Sequence, residues 1–449
     1  MTNKISFIII FILLLFTFFL PTPYLFLMVA LIAVLLFSSE IIAPVYSSFI
    51  ILILLFIYSP KNDQELILFG FHSPILFFLL AVTGLGIAIS KSALGKLFIY
   101  YFQSVIHKYS KLPIPLILII ALVPLSLLLP SSITRNAMLL PLLEKFVYTE
   151  RPWEGKRIYL VLGLINPMAS SAFLTGGLSA IVSASLLGGI GWGKWFVLMA
   201  MPYYLMMVCS LIYVLIRYPL KNTEAKSLNT LDSEATPPKE KIAFERNDWI
   251  MLSTLVMVVL LWVTDKWHHF NPAVPALIGL TILFVFTKSL KWEDIKNSSA
   301  WENIIIIGSL LSLVEALKRY GSLDILISFI ENNLPKEINE YLIILGCIIL
   351  TVIFNLFIPN ITVCVTFLIP LYIQLSLELG INPFIMGLLT TLTIDCIKLY
   401  PTQSTPLLMV YDRNFLNKSD VFQFGITILI VLIFLVMFLI LPYWKILVT

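Results

Sequence analysis

Long apolar runs recur from one end of this 449-residue chain to the other. An α-helix needs about 17 to 25 apolar residues to cross the roughly 30 Å hydrocarbon core of a bilayer, and many of these runs reach that length. Hydrophobic residues make up 59% of the sequence and charged residues 12%, whereas soluble domains are about half apolar. We therefore expect an all-α polytopic membrane protein.

The apolar segments divide into eleven predicted crossings and two longer stretches. Residues 113–147 and 341–379 are too long for one helix, and each has a polar break near its centre. Half-helices of about 15 residues on either side of such a break are short for a crossing, which favours re-entrant hairpins buried in protein. The predicted crossings are 5–20, 24–39, 41–58, 74–90, 157–190, 195–217, 249–265, 271–288, 301–317, 383–411 and 421–441.

Basic residues predict the orientation of the chain. With the N-terminus inside, most of the 29 Lys and Arg fall on cytoplasmic segments, as the positive-inside rule requires. The sequence thus predicts a multi-pass protein of the cell membrane with a cytoplasmic N-terminus and an extracytoplasmic C-terminus. We interpret these residues as topology signals and predict no nucleic-acid partner. Residues 1–23 are expected to be an uncleaved first transmembrane helix, because no A-x-A site follows the apolar stretch.

The four cysteines predict neither a disulfide framework nor a zinc site. All of them lie inside apolar segments, and none forms a CxxC pair. Packed small side chains are the simpler interpretation. We therefore predict no metal ligands and no resident cofactor.

The two halves of the chain resemble each other in register. PSSITRNAMLLPL at 130–142 and PNITVCVTFLIPL at 359–371 each place two prolines eleven residues apart, and the offset between the segments is 229. A hydrophilic cytoplasmic linker, 218–248, separates the halves. We predict inverted repeats at 24–217 and 249–449, because five crossings per repeat make the second copy enter the membrane with opposite polarity. Chance similarity between apolar segments is the alternative.

Polar groups at the interruptions of these helices are the candidate binding site. In inverted-repeat transporters, half-helix N-termini near the midplane point their positive dipole ends at anionic groups. The two hairpins and the predicted broken helices, 157–190 and 383–411, supply such ends. Hydroxyl and amide groups suit carboxylate or oxyanion ligands. The candidate substrate-binding residues are Ser131, Ser132, Thr134, Arg135, Thr175, Gly176, Gly177, Ser179, Asn360, Thr362, Ser404, Thr405 and Pro406.

Arg135 is the most informative single residue in the first hairpin. An arginine at the start of a re-entrant half-helix is costly unless it faces water, a partner or a ligand, and its planar fork suits a carboxylate, sulfate or phosphate. We favour a role in neutralising a bound anion. The alternative is that the hairpin ends nearer the cytoplasm and Arg135 snorkels to the interface.

Asp395 and Lys398 stand three residues apart within a predicted crossing. This spacing lets a carboxylate and an ammonium group meet on one helix face, so a structural ion pair is the first interpretation. The alternative is that Asp395 carries a proton, or that Lys398 is a fixed cation beside the anion site. Either role would alter ion coupling.

The interrupted segments resemble the divalent anion:sodium symporter family of di- and tricarboxylate and sulfate carriers. That family carries a Ser-Asn-Thr motif at each hairpin tip, followed seven residues later by a proline, and a Thr-Pro-Pro-Asn-type loop in each broken helix. The matching segments here are SSITRNAMLLP, NITVCVTFLIP, LTGGLSAIV and PTQSTPLLMVY. The resemblance covers nearly the whole chain.

The resemblance implies roles for particular residues. The Ser-Asn-Thr motifs of the family bind substrate carboxylate and line the sodium sites. Here they align with 131–133 and 360–362, so Ser131, Ile133 and Asn360 fall where sodium would be coupled, and Na⁺ is the implied coupling ion. Asp395 and Lys398 are further candidates for cation coupling. Arg135 is similar to an arginine of some citrate and dicarboxylate exchangers of the family, which makes exchange an alternative. A homodimer with an elevator-like moving unit is also implied.

These observations predict a secondary transporter that moves a small anion by alternating access and is not an enzyme. Sodium symport and anion exchange are both open as coupling modes. One alternative is a transport-fold protein that acts as a sensor or assembly subunit. A membrane-embedded enzyme is another, although the sequence has no cluster of His, Asp or Cys at one interface.

Overall fold

The computed structural model describes an all-α polytopic membrane protein, as the sequence predicts. Every regular element among the described residues is helical. Eight of these helices are long and apolar enough to cross a membrane, and six shorter apolar helices accompany them. The number of crossings stays a prediction. The described residues are 2–39, 41–109, 112–129, 131–145, 147, 154–219, 244–287, 290–333, 335 and 339–448.

Six helices precede the first hairpin. Proline occupies the first position of two of them, where its missing N–H costs nothing and its fixed φ suits the helix. Short 3₁₀ turns at Thr17–Phe19, Lys61–Asp63 and Phe69–His72 complete this region. The helices are α1 (Thr2–Phe16), α2 (Thr22–Ser39), α3 (Pro44–Tyr58), α4 (Glu65–Leu68), α5 (Pro74–Lys91) and α6 (Ala93–Lys108).

The rest of the first half contains the first hairpin and the first broken helix. The hairpin consists of α7 (Ile114–Leu128) and α8 (Ser132–Lys145). The broken helix comprises α9 (Gly155–Leu160), a π-helical turn (Val161–Ile165), α10 (Asn166–Ser171), a 3₁₀ turn (Leu174–Gly176) and α11 (Leu178–Leu186). A long helix, α12 (Trp192–Arg217), follows. The predicted linker 218–248 falls largely outside the described residues, which resume at 244.

The second half follows the same order of elements. The helices before its hairpin are α13 (Arg246–Val263), α14 (Asp265–His268), α15 (Ala273–Phe286), α16 (Trp292–Lys296), α17 (Ala300–Arg319) and α18 (Ser322–Asn333). The hairpin consists of α19 (Glu340–Phe357) and α20 (Ile361–Glu378), and the broken helix consists of α21 (Pro383–Cys396), a 3₁₀ turn (Pro401–Gln403) and α22 (Thr405–Tyr411). The last elements are α23 (Lys418–Leu435), a π-helical turn (Val436–Ile440) and α24 (Leu441–Val448).

Helix boundaries correspond between the halves at the predicted offset. The first arms of the two hairpins end at Leu128 and Phe357, and the second arms begin at Ser132 and Ile361, so both pairs are 229 residues apart. This correspondence supports the repeat register, and the inverted-repeat division stays a prediction. The arms of the first hairpin have 15 and 14 residues, as expected. Those of the second have 18 each, so the expectation of half-length arms there is wrong.

The two halves also pack closely on each other away from the hairpins. Helix α5 packs against α15, and α17 packs against α3 and the 3₁₀ turn Phe69–His72. Within that turn, the Gly70 N–H donates to Ser312 Oγ at 2.9 Å, and Ser312 Oγ donates to Ile67 O at 2.8 Å. A Cβ atom added at Gly70 would lie 2.0 Å from Gly308 O. The contact therefore depends on a residue without a side chain.

We predict that Gly70→Ala destabilises the protein, because the new methyl group overlaps a backbone oxygen and overpacking of this kind costs about 1–3 kcal/mol. Gly86→Ala is the matched control, since a Cβ atom there meets nothing within 4 Å and alanine favours a helix by about 1 kcal/mol. Thermal unfolding in detergent should give a lower midpoint for Gly70→Ala alone. Equal midpoints for the two variants would contradict the close packing at Gly70.

Candidate functional site

The hairpin tips end in side chains that cap the following helices. Ser131 Oγ accepts a hydrogen bond from the Thr134 N–H at 3.2 Å, and Asn360 Oδ1 accepts one from the Val363 N–H at 3.2 Å. The two capping residues are related by the 229-residue offset. Each cap satisfies one of the N–H groups that a helix start leaves without a partner. Both side chains keep hydrogen-bonding capacity for a further group.

Other predicted residues occupy the first turns of the two capped helices. Ser132 and Thr134 are half-buried on α8, whereas Ile133 is 44% exposed on the same helix. Thr362, on α20, is buried. Ile133 offers no polar side-chain atom, so any cation coupling there would rest on backbone groups. The proposed coupling roles of Ser131, Ile133 and Asn360 stay predictions.

The break in the first broken helix is tightly folded. Thr175 and Gly176 are buried in the 3₁₀ turn, Gly177 is half-buried, and Ser179 lies in the first turn of α11. A Cβ atom at Gly176 would lie 1.6 Å from Ser170 O, so the turn requires glycine there. The hydroxyl of Thr175 is buried and has no hydrogen-bond partner among the described residues.

The side-chain amide of Gln403 stabilises the break in the second broken helix. Gln403 Oε1 accepts from the Leu399 and Tyr400 N–H groups at 2.6 and 3.1 Å, while its Nε2 donates to Asn355 O at 2.9 Å. Because Asn355 belongs to α19, these bonds attach the break to the second hairpin.

Three predicted residues follow Gln403 at the start of α22. Ser404 and Pro406 are buried and Thr405 is exposed. Ser404 is related to Thr175 by the 229-residue offset, and it is 4% exposed. The two breaks therefore place hydroxyl side chains at equivalent positions, and the hydroxyl of Thr175 has no hydrogen-bond partner among the described residues.

Each hairpin packs against the broken helix of the other half. Helix α8 contacts α22, and α20 contacts α11. Asn136 Nδ2 on α8 donates to Pro406 O at 3.2 Å, and Ser179 Oγ on α11 donates to Asp395 Oδ2 on α21 at 2.9 Å. The predicted polar residues of the two halves are thus brought into one connected group of helices.

Arg135 lies inside this group and not at an interface. It is 0% exposed. Its Nε donates to Asn166 Oδ1 at 2.7 Å, its Nη2 to Asn166 O at 3.0 Å, and its Nη1 to Leu129 O at 2.6 Å. The alternative that Arg135 snorkels to the membrane surface is therefore wrong, because its guanidinium group is directed into protein. Its role toward an anion stays a prediction.

Two asparagines outside the residues predicted from the sequence, Asn136 and Asn166, complete the network. Asn166 Nδ2 donates to Asn136 Oδ1 at 2.7 Å and to Ser132 O at 3.2 Å. Asn136 Nδ2 also donates to Leu162 O at 3.1 Å. Both asparagines are fully buried. The repeat offset could have indicated Asn166, since it aligns this residue with Asp395.

Asp395 and Lys398 do not form the ion pair that their spacing predicts. Both are buried, with 5% and 3% exposure, yet no ion pair within 4.0 Å joins them in the described structure. Asp395 Oδ2 accepts from Ser179 Oγ at 2.9 Å and from Tyr203 OH at 2.7 Å, whereas Lys398 Nζ donates to Ile394 O. The ion-pair prediction is wrong because each group finds a nearer partner.

Fold and site together define a class: polytopic membrane proteins in which two hairpins and two broken helices pack on each other. The family described as "Sodium:sulfate symporter transmembrane region" matches residues 1–449. The chain belongs to this family.

Curated relatives align over parts of the chain. Dicarboxylate transporter 2.1, chloroplastic, of Arabidopsis thaliana is 26% identical over 34% of this chain and 28% of its own. Dicarboxylate transporter 1, chloroplastic, of Spinacia oleracea is 28% identical over 41% and 32%. Sodium-dependent high-affinity dicarboxylate transporter 2 of Caenorhabditis elegans is 23% identical over 52% and 48%. The alignments thus span between about a quarter and a half of the length of these relatives.

We predict that Asn166→Ala lowers thermal stability in detergent. The change leaves Arg135 Nε and Asn136 Oδ1 without their present partner, and a buried unsatisfied polar group costs about 1–3 kcal/mol. Asn333→Ala is the matched control, because Asn333 is exposed and donates only to Phe329 O within its own helix. If both variants unfolded at the wild-type temperature, the network would contribute nothing measurable.

Proposed function

We propose that this protein is a secondary active transporter that moves a small di- or tricarboxylate or sulfate-like anion by alternating access. Membership of a sodium:sulfate symporter family and the names of the dicarboxylate transporters that it resembles support this substrate class. The chemistry of the candidate substrate-binding residues agrees with an anionic substrate. Their polar side chains are hydroxyls, amides and one arginine, which donate hydrogen bonds to anionic oxygens.

The observation that carries the proposal is the buried hydroxyl group of Thr175 at the first break, which the repeat offset relates to Ser404 at the second break. Thr175 and Ser404 are 3% and 4% exposed, and the Thr175 hydroxyl has no hydrogen-bond partner among the described residues. A buried polar group without a partner is destabilising, so a ligand that accepts or donates a hydrogen bond at Thr175 would be favoured there. Each hydroxyl precedes the start of a half-helix, where free N–H groups also suit an anion.

The remaining candidate residues surround these hydroxyls in the proposal. Arg135 would act mainly through its positive charge, because three of its nitrogens already donate to protein. The other proposed contacts are Ser131, Ser132, Thr134, Gly176, Gly177, Ser179, Asn360, Thr362, Thr405 and Pro406.

Coupling, assembly and orientation complete the proposal. Na⁺ is a candidate coupling ion because the family description and the name of the nematode relative both refer to sodium, while anion exchange is the other mode. The hairpins and broken helices would move as one unit against the remaining helices in each subunit of a homodimer. We also propose location in the cell membrane, with the N-terminus cytoplasmic and the C-terminus extracytoplasmic.

The direct test is uptake and counterflow in proteoliposomes with dicarboxylates, citrate, sulfate and phosphate. Each anion is measured with and without a sodium gradient. We expect counterflow for at least one divalent anion, and stimulation by sodium would identify symport. Anion binding to the purified protein without transport of any of these substrates would contradict the carrier proposal and favour a sensor.

We predict that Thr175→Val raises the KM for the transported anion by about 10- to 100-fold. A hydrogen bond to a charged group contributes about 1.5–3 kcal/mol, and 1.4 kcal/mol is tenfold in affinity. Thr281→Val provides the control, since Thr281 is exposed on α15 and donates only to Leu277 O. Concentration-dependent counterflow measures both variants, and an unchanged KM for Thr175→Val would remove Thr175 from the site.

A further inference from the structure

Three charges lie in the middle of the hairpins and broken helices. These are Arg135, Asp395 and Lys398, and all are buried, with 0%, 5% and 3% exposure. The other charged residues of these four segments lie at or near helix ends: Glu144, Lys145, Lys156, Arg157, Glu340 and Glu378. The charge in the middle of the unit that would carry the anion is therefore set by two cations and one carboxyl group.

The carboxyl group of Asp395 accepts hydrogen bonds from two neighbouring helices. Two hydroxyl groups, Ser179 Oγ and Tyr203 OH, donate to Asp395 Oδ2 from α11 and α12. The titratable or charged groups that face it are Tyr203, Cys396 and Lys398, and Cys364 on α20 faces Lys398 in turn. None of these groups forms an ion pair within 4.0 Å of Asp395 in the described structure. Its charge is thus compensated only partly.

The identity of the cargo changes this balance. With Asp395 ionised, the three central groups carry one net positive charge, so adding a divalent anion without a sodium ion leaves one uncompensated negative charge inside the membrane. With Asp395 protonated, the same anion is neutralised by Arg135 and Lys398. An uncompensated charge in a low-dielectric interior is strongly unfavourable. The neutral combination is therefore favoured during movement across the bilayer.

We infer that Asp395 is a proton-binding site of the transport cycle and that its protonated form accompanies a divalent anion. This inference rests on the proposed transport function. A proton from water on one side binds a carboxylate oxygen of Asp395 when the anion binds, and it returns to water on the other side after the anion leaves. The carrier would then move one proton with each divalent anion that no sodium ion accompanies.

The experiment compares proton-driven uptake with counterflow in the same proteoliposomes. Counterflow at equal pH tests the proposed transport function alone. Uptake in sodium-free buffer with and without an inward proton gradient, together with a trapped pH dye, tests whether a proton moves with the anion. For the wild-type protein we expect the gradient to stimulate uptake and the anion to acidify the lumen. In Asp395→Asn the ratio of uptake with and without the gradient should fall to one, whereas Asp395→Glu should retain stimulation.

Glu378→Gln is the matched control, because the Glu378 carboxyl group is exposed at the end of α20. This variant should respond to the proton gradient as the wild type does.

If Asp395→Asn does not fold, Ser179→Ala takes its place in the experiment. The Ser179→Ala variant removes one hydroxyl donor to Asp395 and should shift the pH at which proton-driven uptake is half-maximal. An unchanged midpoint would overturn the inference.

Two further results distinguish failure of the proton site at Asp395 from failure of the proposed transport function. Wild-type counterflow without any response to the proton gradient would overturn the proton site and leave the carrier intact. Stimulation that persists in Asp395→Asn would do the same. Absence of counterflow for every anion would overturn both.

Discussion

The structure depends on satisfying backbone polar groups where helices are interrupted inside a bilayer. Water is not available in the hydrocarbon region, so every free N–H and C=O must find a partner within the protein. Here the partners are buried side chains. Arg135 bonds Leu129 O at the first hairpin tip, and Gln403 bonds the N–H groups of Leu399 and Tyr400 at the second break. These hydrogen bonds allow the backbone to leave helical geometry at the hairpin tip and at the break, where the candidate binding residues lie.

At equivalent positions of the two halves, different side chains satisfy the backbone polar groups. Cys364, the counterpart of Arg135, donates its thiol to Ile358 O at 3.2 Å, and Ile358 is the counterpart of Leu129. Asp395 stands where the first half has Asn166. The backbone arrangement is therefore similar in both halves, whereas the charges are not. This asymmetry gives the centre an arginine from one half and a carboxyl–lysine combination from the other.

The sequence predicted the all-α membrane class, the family and the helix interruptions, because apolar length and proline or glycine at the breaks act locally. It did not predict which polar side chains would meet. Asn136 reaches Pro406 O across 270 residues, and no local pattern contains that contact. The i, i+3 spacing of Asp395 and Lys398 was misleading, because partners from α11 and α12 competed for the carboxylate. Substrate-binding and cation-coupling roles stay predictions.

The central claim is that the first hairpin tip and the second break, one from each half of the chain, contribute to one anion site. Thiol-labelling rates of Ser131→Cys and Thr405→Cys, two exposed positions, measure this most directly in a chain whose four native cysteines are replaced. The account predicts that a transported anion slows labelling at both positions with one half-saturating concentration, and leaves the exposed control Ser419→Cys unchanged. Unchanged labelling at both positions, at an anion concentration that saturates counterflow, would contradict it.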